Sequence, residues 1–580
     1  MMASTPNTAV RKALQHESER LELAVIGGSD SLATRAVKLM YETGDYAGLD
    51  LSPTDEKEAI ELLAGMGKFY LFDELVAGAE RLSESIHSVA TRGLQEVVQN
   101  AEDQHASSVR FGYRKRHRGP GELLIAHDGD PVELRDVLRM SLPLISGSRQ
   151  DAEKIGQFGV GLKTLKQLGH QLQVHCRPLP SFAIEDGRIK PFAAGKPIQG
   201  FWNAEARETL FVLALKEKES DQERAFDLAF FESWLAGWDS SSLLFLDSVS
   251  AVSLVELGRR TRTIKTCRLH RSAERPAKVT VSRATEVRET TISEPGSNRR
   301  WTRYVARFPT PRKLTDKADH LGDTLDVRVA VPNRELPARV YVGLPLEEPC
   351  SLPYSIGSKH FKLSVDRTDL LEHKRNSWLV DAIGELTLAV AIHRLAESPR
   401  TSWRAIALST EGCGRSEWLQ SQFERLIERQ WRELSRKGVL AHTDADVRLG
   451  ELIYEVEELN GILDSGDVER LWREEWGDRA KTVPKRARDG SRWRDVLSDD
   501  SCGAQPLDFQ EAQAAFQWPD EELASKGAGW LVDLVAAGIA LGAQDELIEL
   551  WPERSRCARL PSRAGSRNGP PARLCGGADQ

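Results

Sequence analysis

The chain has 580 residues, room for several domains of ~100–200 residues each. Its 40% hydrophobic and 29% charged residues read as soluble and globular, and a net charge of -8 gives no general reason to bind nucleic acid or an anionic membrane. No apolar run reaches the ~20 residues of a membrane span, the N-terminus lacks the apolar core of a signal peptide, and the scattered cysteines show no CxxC or Cys/His ligand spacing; ordinary reduced thiols in a cytoplasmic protein are expected.

In chain order, residues 1–80 carry charged amphipathic segments with few β-branched residues and predict helices. The segment LQEVVQNAED, Leu94 to Asp103, predicts a helix with two stripes. Leu94, Val97, Val98 and Ala101 make an apolar face for packing on a sheet, while Glu96, Asn100 and Asp103 fall at i, i+4 and i+7 on another face. A carboxylate, an amide and a second carboxylate in that order suit a metal-nucleotide complex. A strand over Ser108 to Tyr113 follows, then LLIAHDGDPV, Leu123 to Val132, an apolar strand running into a glycine turn. There Gly129 lets the backbone approach a flat ligand, and His127 or Asp128 beside it can read a base edge.

The segment IGQFGVGLKT, Ile155 to Thr164, is a glycine-rich turn opening a helix. Its residues Gly156, Phe158, Gly159, Val160, Gly161, Leu162 and Lys163 form a phosphate-cradling loop, with backbone N–H groups and a cation aimed at negative charge. Strands are expected over Leu168 to Cys176, Glu208 to Leu215, which carries Thr209, Ser242 to Leu257, and Leu325 to Leu344. Between residues 259 and 313, sixteen Arg and Lys stand against four acids. A solvated β-rich surface is the simplest reading of that run, and Trp301, Tyr304 and Phe308 could stack on bases if it binds nucleic acid. After Trp378 the pattern is helical to about Leu550, with the Leu531 to Leu541 stretch read as a buried helix, and the Gly/Pro/Ser/Arg-rich end reads as disordered.

Three segments in this order resemble the boxes of the GHKL ATP-binding module shared by ninety-kilodalton heat-shock chaperones, MutL, type II topoisomerases and sensor histidine kinases. Glu96, Asn100 and Asp103 resemble the N-box, HDGDP the DxGxG box, and IGQFGVG the glycine box. The details QNAED, HDGxP and GQFGVGLKT are most similar to the sacsin-type branch, and MORC proteins share the GLK ending. The resemblance implies an α/β (α+β) Bergerat fold, a two-layer sandwich, followed by a second α/β domain and a helical C-terminal region. The expected division is 1–80 helical, 81–250 ATP-binding, 251–375 second α/β domain, 376–555 helical and 556–580 disordered.

The same resemblance implies ATP and Mg²⁺ as ligands. It makes Glu96 the residue that orients or deprotonates the attacking water, Asn100 the Mg²⁺ ligand, Asp103 a support for its water shell, Ser141 to Lys154 a mobile lid, and Thr209 the threonine of a late strand. One departure stands out. With Gly129 aligned on the first glycine of the box, His127 occupies the adenine-reading aspartate position and Pro131 replaces the second glycine; Asp128 could serve only after a one-residue register shift. The leading expectation is a slow Mg²⁺-dependent ATPase acting as a conformational switch on a protein client or complex, with a nucleotide-dependent dimer among its states. Alternatives are a nucleic-acid-linked ATPase of the MORC or MutL kind and a nucleotide-binding scaffold without turnover.

Overall fold

The computed structural model describes residues 91–117, 119–132, 168–177, 179–185, 188–203, 208–217, 226–314, 321–364, 368–397, 404–407 and 412–437, with isolated positions and short segments elsewhere up to residue 543. These residues form an α/β fold of helices and mixed sheets, as the patterning implies. They divide into two compact units, one of Met1–Arg394 with Arg404–Glu433 and the other of Leu395–Trp403 with Leu434–Gln580.

The first unit opens with α1 (Thr91–Asp103). Its first sheet contains β1 (Ser108–Arg114), β2 (Glu122–His127), β3 (Gly169–His175), β4 (Phe182–Glu185), β5 (Arg188–Pro191), β6 (Thr209–Leu215), β7 (Ala251–Leu257) and β8 (Thr261–Arg268). The strand order is β5-β4-β3-β6-β2-β1-β7-β8, antiparallel throughout except for the parallel β1/β7 pair. The sheet therefore runs beyond residue 250, the boundary expected from sequence, because β7 supplies the second neighbour of β1.

Alternation along β2 explains why all six of its residues are buried. Leu123 and Ile125 join the core built by Leu94, Val97, Val98 and Ala101 of α1 and by Phe231, Trp234 and Leu235 of α2 (Leu228–Ala236). Leu124 and Ala126 face the other way, into a smaller cluster with Leu210, Val212, Val255 and Leu257 beneath Phe201 and Trp202. A strand covered on both faces reads as a continuous apolar run, which is why ELLIA was legible as a strand but not as a central one. Of the N-terminal segment only Ile60 is described, and it is buried in the larger core.

The strand expected over Ser242 to Leu257 is shorter than its apolar pattern. Only Ala251–Leu257 pairs, while Ser240–Leu243 is a 3-10 turn whose Leu243 is buried in the core together with Leu244, Phe245 and Leu246, which continue as irregular chain. Irregular chain inside a core must find partners for its polar backbone. Arginines supply them. Arg271 donates to the carbonyls of Leu243 and Val249, Arg303 to those of Leu244 and Leu246, and Arg328 to that of Phe245.

The second sheet of this unit has β9 (His270–Arg271), β10 (Arg275–Pro276), β11 (Glu286–Ser293), β12 (Arg300–Pro309), β13 (Thr324–Pro332), β14 (Val340–Val342), β15 (Leu344–Pro345) and β16 (Ser355–Gly357). Its path is β10-β11-β12-β13-β16-β14-β15, with β9 on β11. Helices α3 (Lys374–Glu397) and α4 (Glu417–Lys437) follow.

The second unit has its own core of Leu459, Leu463, Leu471, Leu507, Trp518, Leu523 and Leu534. It combines α5 (Asp520–Lys526) and α6 (Ala528–Ala540) with the short strands β17 (Val439–Leu440), β18 (Val447–Arg448), β19 (Leu452–Glu455), β20 (Lys481–Thr482) and β21 (Gln505–Leu507), which the sequence pattern did not reveal. Helix α6 is buried on one side only: Leu534 is fully covered, whereas Val532 and Ile539 are exposed. Among the described residues no helix is long and apolar enough to cross a membrane.

Candidate functional site

The α1 helix places the sequence-derived stripe beside the sheet, with Glu96 buried and Asn100 and Asp103 half-buried. The Asn100 carboxamide makes no hydrogen bond among the described residues, and its backbone carbonyl accepts the Gln104 N–H. Sequence reasoning passed over Glu102. Its buried carboxylate accepts the backbone N–H groups of Asp247, Ser248 and Val249, the last at 2.7 Å.

At its C-terminus α1 turns sharply. Ala106 N–H bonds the Ala101 carbonyl at 2.9 Å, and His105 adopts φ of 56°, a left-handed conformation uncommon for a non-glycine residue. The end of β2 closes against this turn. Gly129 must be glycine there because a Cβ would stand 2.5 Å from the Gln104 carbonyl oxygen, which also accepts the Asp130 N–H. The close approach to α1 by itself requires glycine at this position.

Asp128 belongs to the same joint. Its carboxylate accepts the Ser107 and Ser108 N–H groups at 2.9 and 2.8 Å and the Ser107 hydroxyl at 2.5 Å. Burial raises the acid's pKa, but these bonds outweigh it and hold the group below the usual carboxylate range. Both oxygens are committed to the joint.

His127 faces the larger core, on the side of Leu123 and Ile125, and is only 2% exposed. Burial, opposed by Asp128 and reinforced by Arg110, pushes its pKa down to about 4. The ring is neutral at ordinary pH. Its Nδ1 accepts the Gly129 N–H at 3.3 Å, so the remaining proton sits on Nε2, a donor with no hydrogen bond among the described residues. Thr209 is its direct register partner on β6. That threonine is fully buried, and its hydroxyl has no hydrogen-bond partner. A buried hydroxyl left unmatched costs ~1–3 kcal/mol, so one standing beside an unmatched imidazole donor marks a place for a polar edge.

The fold therefore brings together the C-terminal half of α1, the His127–Gly129 corner and Thr209. Gly156, Phe158, Gly159, Val160, Gly161, Leu162, Lys163 and the 141–154 segment lie outside the described residues. Among the described residues no cluster of three or more His, Cys, Asp or Glu could hold a metal ion by itself.

The basic run is largely consumed within the fold. At least nine of its sixteen cations are placed: Arg262, Arg275, Arg283, Arg288, Arg299, Arg303 and Arg307 on carboxylates, and Lys265 and Arg271 on main-chain carbonyls. Trp301, Tyr304 and Phe308 are core residues, so base stacking on them is ruled out. A charge network, buried except at Asp247, joins the two sheets. Arg328 bridges Asp247 at 2.7 Å and Asp326 at 3.0 Å, and Asp326 meets the His360 Nε2 at 2.9 Å. Against the raising effect of burial, Arg328 and Arg303 hold Asp247 low.

No family model matches the chain, and no curated protein matches it. Among solved structures the chain is similar to the ATP-binding domain of topoisomerase IV from Francisella tularensis in complex with a small-molecule inhibitor, at 13% identity over 29% of this chain and 83% of that chain, with a TM-score of 0.18.

Proposed function

We propose that the first unit binds a purine nucleoside triphosphate, ATP in the leading reading, at the α1/β2/β6 corner, and hydrolyses it slowly as a conformational switch. The observation that carries this reading is the paired, unmatched His127 Nε2–H and Thr209 hydroxyl at the strand ends beside α1. They would take the base edge. Asn100, with a carboxamide that no described residue occupies, fits a single protein ligand to Mg²⁺, since a hard cation takes oxygen donors and is otherwise ligated by phosphate and water. When bound, the metal would neutralise phosphate charge. Glu96 would hold and deprotonate the attacking water, and the 156–163 loop would cradle phosphates.

This proposal stands at the level of the GHKL type; assignment to the sacsin-type branch rests on the QNAED, HDGxP and GQFGVGLKT segments alone. A protein client or complex is the partner such a switch implies. Calorimetric titration with Mg²⁺-ATP and a phosphate-release assay test the reading together. Glu96→Ala is expected to bind ATP within a few-fold of the parent and to lose turnover by at least about 100-fold, the usual scale for removing a general base. Binding without any release in the parent would make the chain a nucleotide-binding scaffold, and no binding at millimolar ATP would end the proposal.

A further inference from the structure

Two thiols far apart in sequence meet in the loops beside the second sheet. Cys350 follows β15 and is partly exposed, while Cys413 precedes α4 and is buried. Ser351, the residue after Cys350, touches the Cys413 sulfur, and the Gly414 N–H bonds the carbonyl of Pro349, the residue before Cys350, so the two cysteines lie side by side. The Cys413 Sγ accepts the Ser351 N–H at 3.1 Å and lies 3.0 Å from the Ser351 hydroxyl. Ser351 thus meets this sulfur through both its backbone and its side chain, beside the neighbouring Cys350 thiol. These contacts favour its thiolate, with the Cys350 contact the largest influence and burial opposing, and pull the Cys413 pKa down to about 6; the same contact pushes the Cys350 thiol up.

The backbone around the pair is fixed by bonds on both sides. Gly414 N–H bonds the Pro349 carbonyl at 2.9 Å, and the Glu348 carboxylate accepts the Arg415 and Leu370 N–H groups at 3.0 and 3.1 Å. Cys176 and Cys267 are buried elsewhere in the first unit, and Cys267 donates to the Trp238 carbonyl at 3.7 Å.

We propose that Cys350 and Cys413 form a reactive dithiol that a hydroperoxide converts to an intramolecular disulfide tying these two loops. The partly exposed Cys350 sulfur attacks one oxygen of hydrogen peroxide while its proton passes to Cys413; the O–O bond breaks and the departing hydroxide leaves as water with that proton. The Cys413 thiolate then attacks the Cys350 sulfenic acid, the S–S bond forms, the S–O bond breaks, and hydroxide departs. Each sulfur gives up one electron and peroxide takes two, yielding one water and one hydroxide from a thiol, a thiolate and peroxide.

The test treats the full-length protein with hydrogen peroxide, blocks remaining thiols by alkylation, and maps the unreduced digest by mass spectrometry. A linked peptide pair carrying Cys350 and Cys413, lighter than the two separate peptides by two hydrogens and released by dithiothreitol, is expected in most molecules. Cys413→Ser is expected to leave Cys350 as a sulfenic acid trapped by a dimedone-type reagent. Full alkylation of both cysteines after peroxide, or linkage of either one to a different cysteine, would overturn the proposal. Because the mapping is done on the unaltered chain, the outcome does not depend on how well the variant folds.

Discussion

Burial holds the His127 imidazole neutral, with its pKa pushed down to about 4 against an ordinary value of 6.5. Above pH ~6.5 neither the folded nor the unfolded ring takes a proton, and this source of stability is whole. Between there and about pH 4 the unfolded ring protonates and the folded one does not, so stability falls with pH, by up to about 3 kcal/mol in all. Urea midpoints at pH 7 and pH 5 should show a drop that His127→Gln removes; an equal drop in both proteins would place the titration elsewhere. The tautomer matters as much as the charge. An aspartate at this corner would accept from the adenine amino group, whereas the Nε2–H of His127 donates, to a purine ring nitrogen or a 6-oxo group. We therefore expect ATP and GTP to bind within about tenfold of each other, a difference of ~1.4 kcal/mol. A preference for ATP above a hundredfold in competition titrations would show that His127 does not read the base.

At the level of elements, the joint between α1 and the sheet is the part most exposed to a single substitution. Glu102→Ala would leave the amide N–H groups of residues 247–249, one buried and two part-buried, without their acceptor, for a loss of about 3 kcal/mol, with Glu102→Gln losing less. A shifted denaturant midpoint at unchanged slope would register it; a shift under 0.5 kcal/mol, roughly the scale of a surface substitution, would deny the carboxylate this role. Helix α1 was legible from apolar spacing at a period of 3.6 and strands β1 and β3 from alternation, while β2 and β6, covered on both faces, were legible as continuous apolar runs. What the sequence could not display was partnership over distance. Glu102 beside Asp103 gives no local sign that it binds residues 145 positions later, and the apolar run Leu243 to Leu246 imitates a strand because its carbonyls are served by arginines rather than by a neighbouring strand. Asp128 and His127 were distinguishable only once the register with Thr209 and the contacts to Ser107 and Ser108 were fixed.

At the scale of the whole molecule, much of the basic run in the first unit is spent internally. Arg275, Arg288, Arg303 and Arg307 meet carboxylates, Lys265 and Arg271 meet carbonyls, and the three aromatic residues of β12 are core. With a net charge of -8, the expected outcome of an electrophoretic shift assay with duplex DNA at low salt is no retention. Retention that weakens with added salt would favour the nucleic-acid-linked reading. Arg303 is unsuited to such a test by mutation, since at 4% exposure it holds the Leu244 and Leu246 carbonyls and neutralising it would unsettle the core.

The bond from Glu102 to the 247–249 amides also sets a clock. Asp247 leaves the ribosome 145 residues after Glu102, which at roughly 5–20 residues per second is about 7–30 s of synthesis. During that interval α1 can form, but its inward carboxylate has no acceptor site to fill and β1 has no parallel neighbour. The corner between α1 and β2 is thus completed late, from both ends of a long stretch of chain, and in a nascent protein it lacks its 247–249 anchor until the segment leading into β7 has emerged.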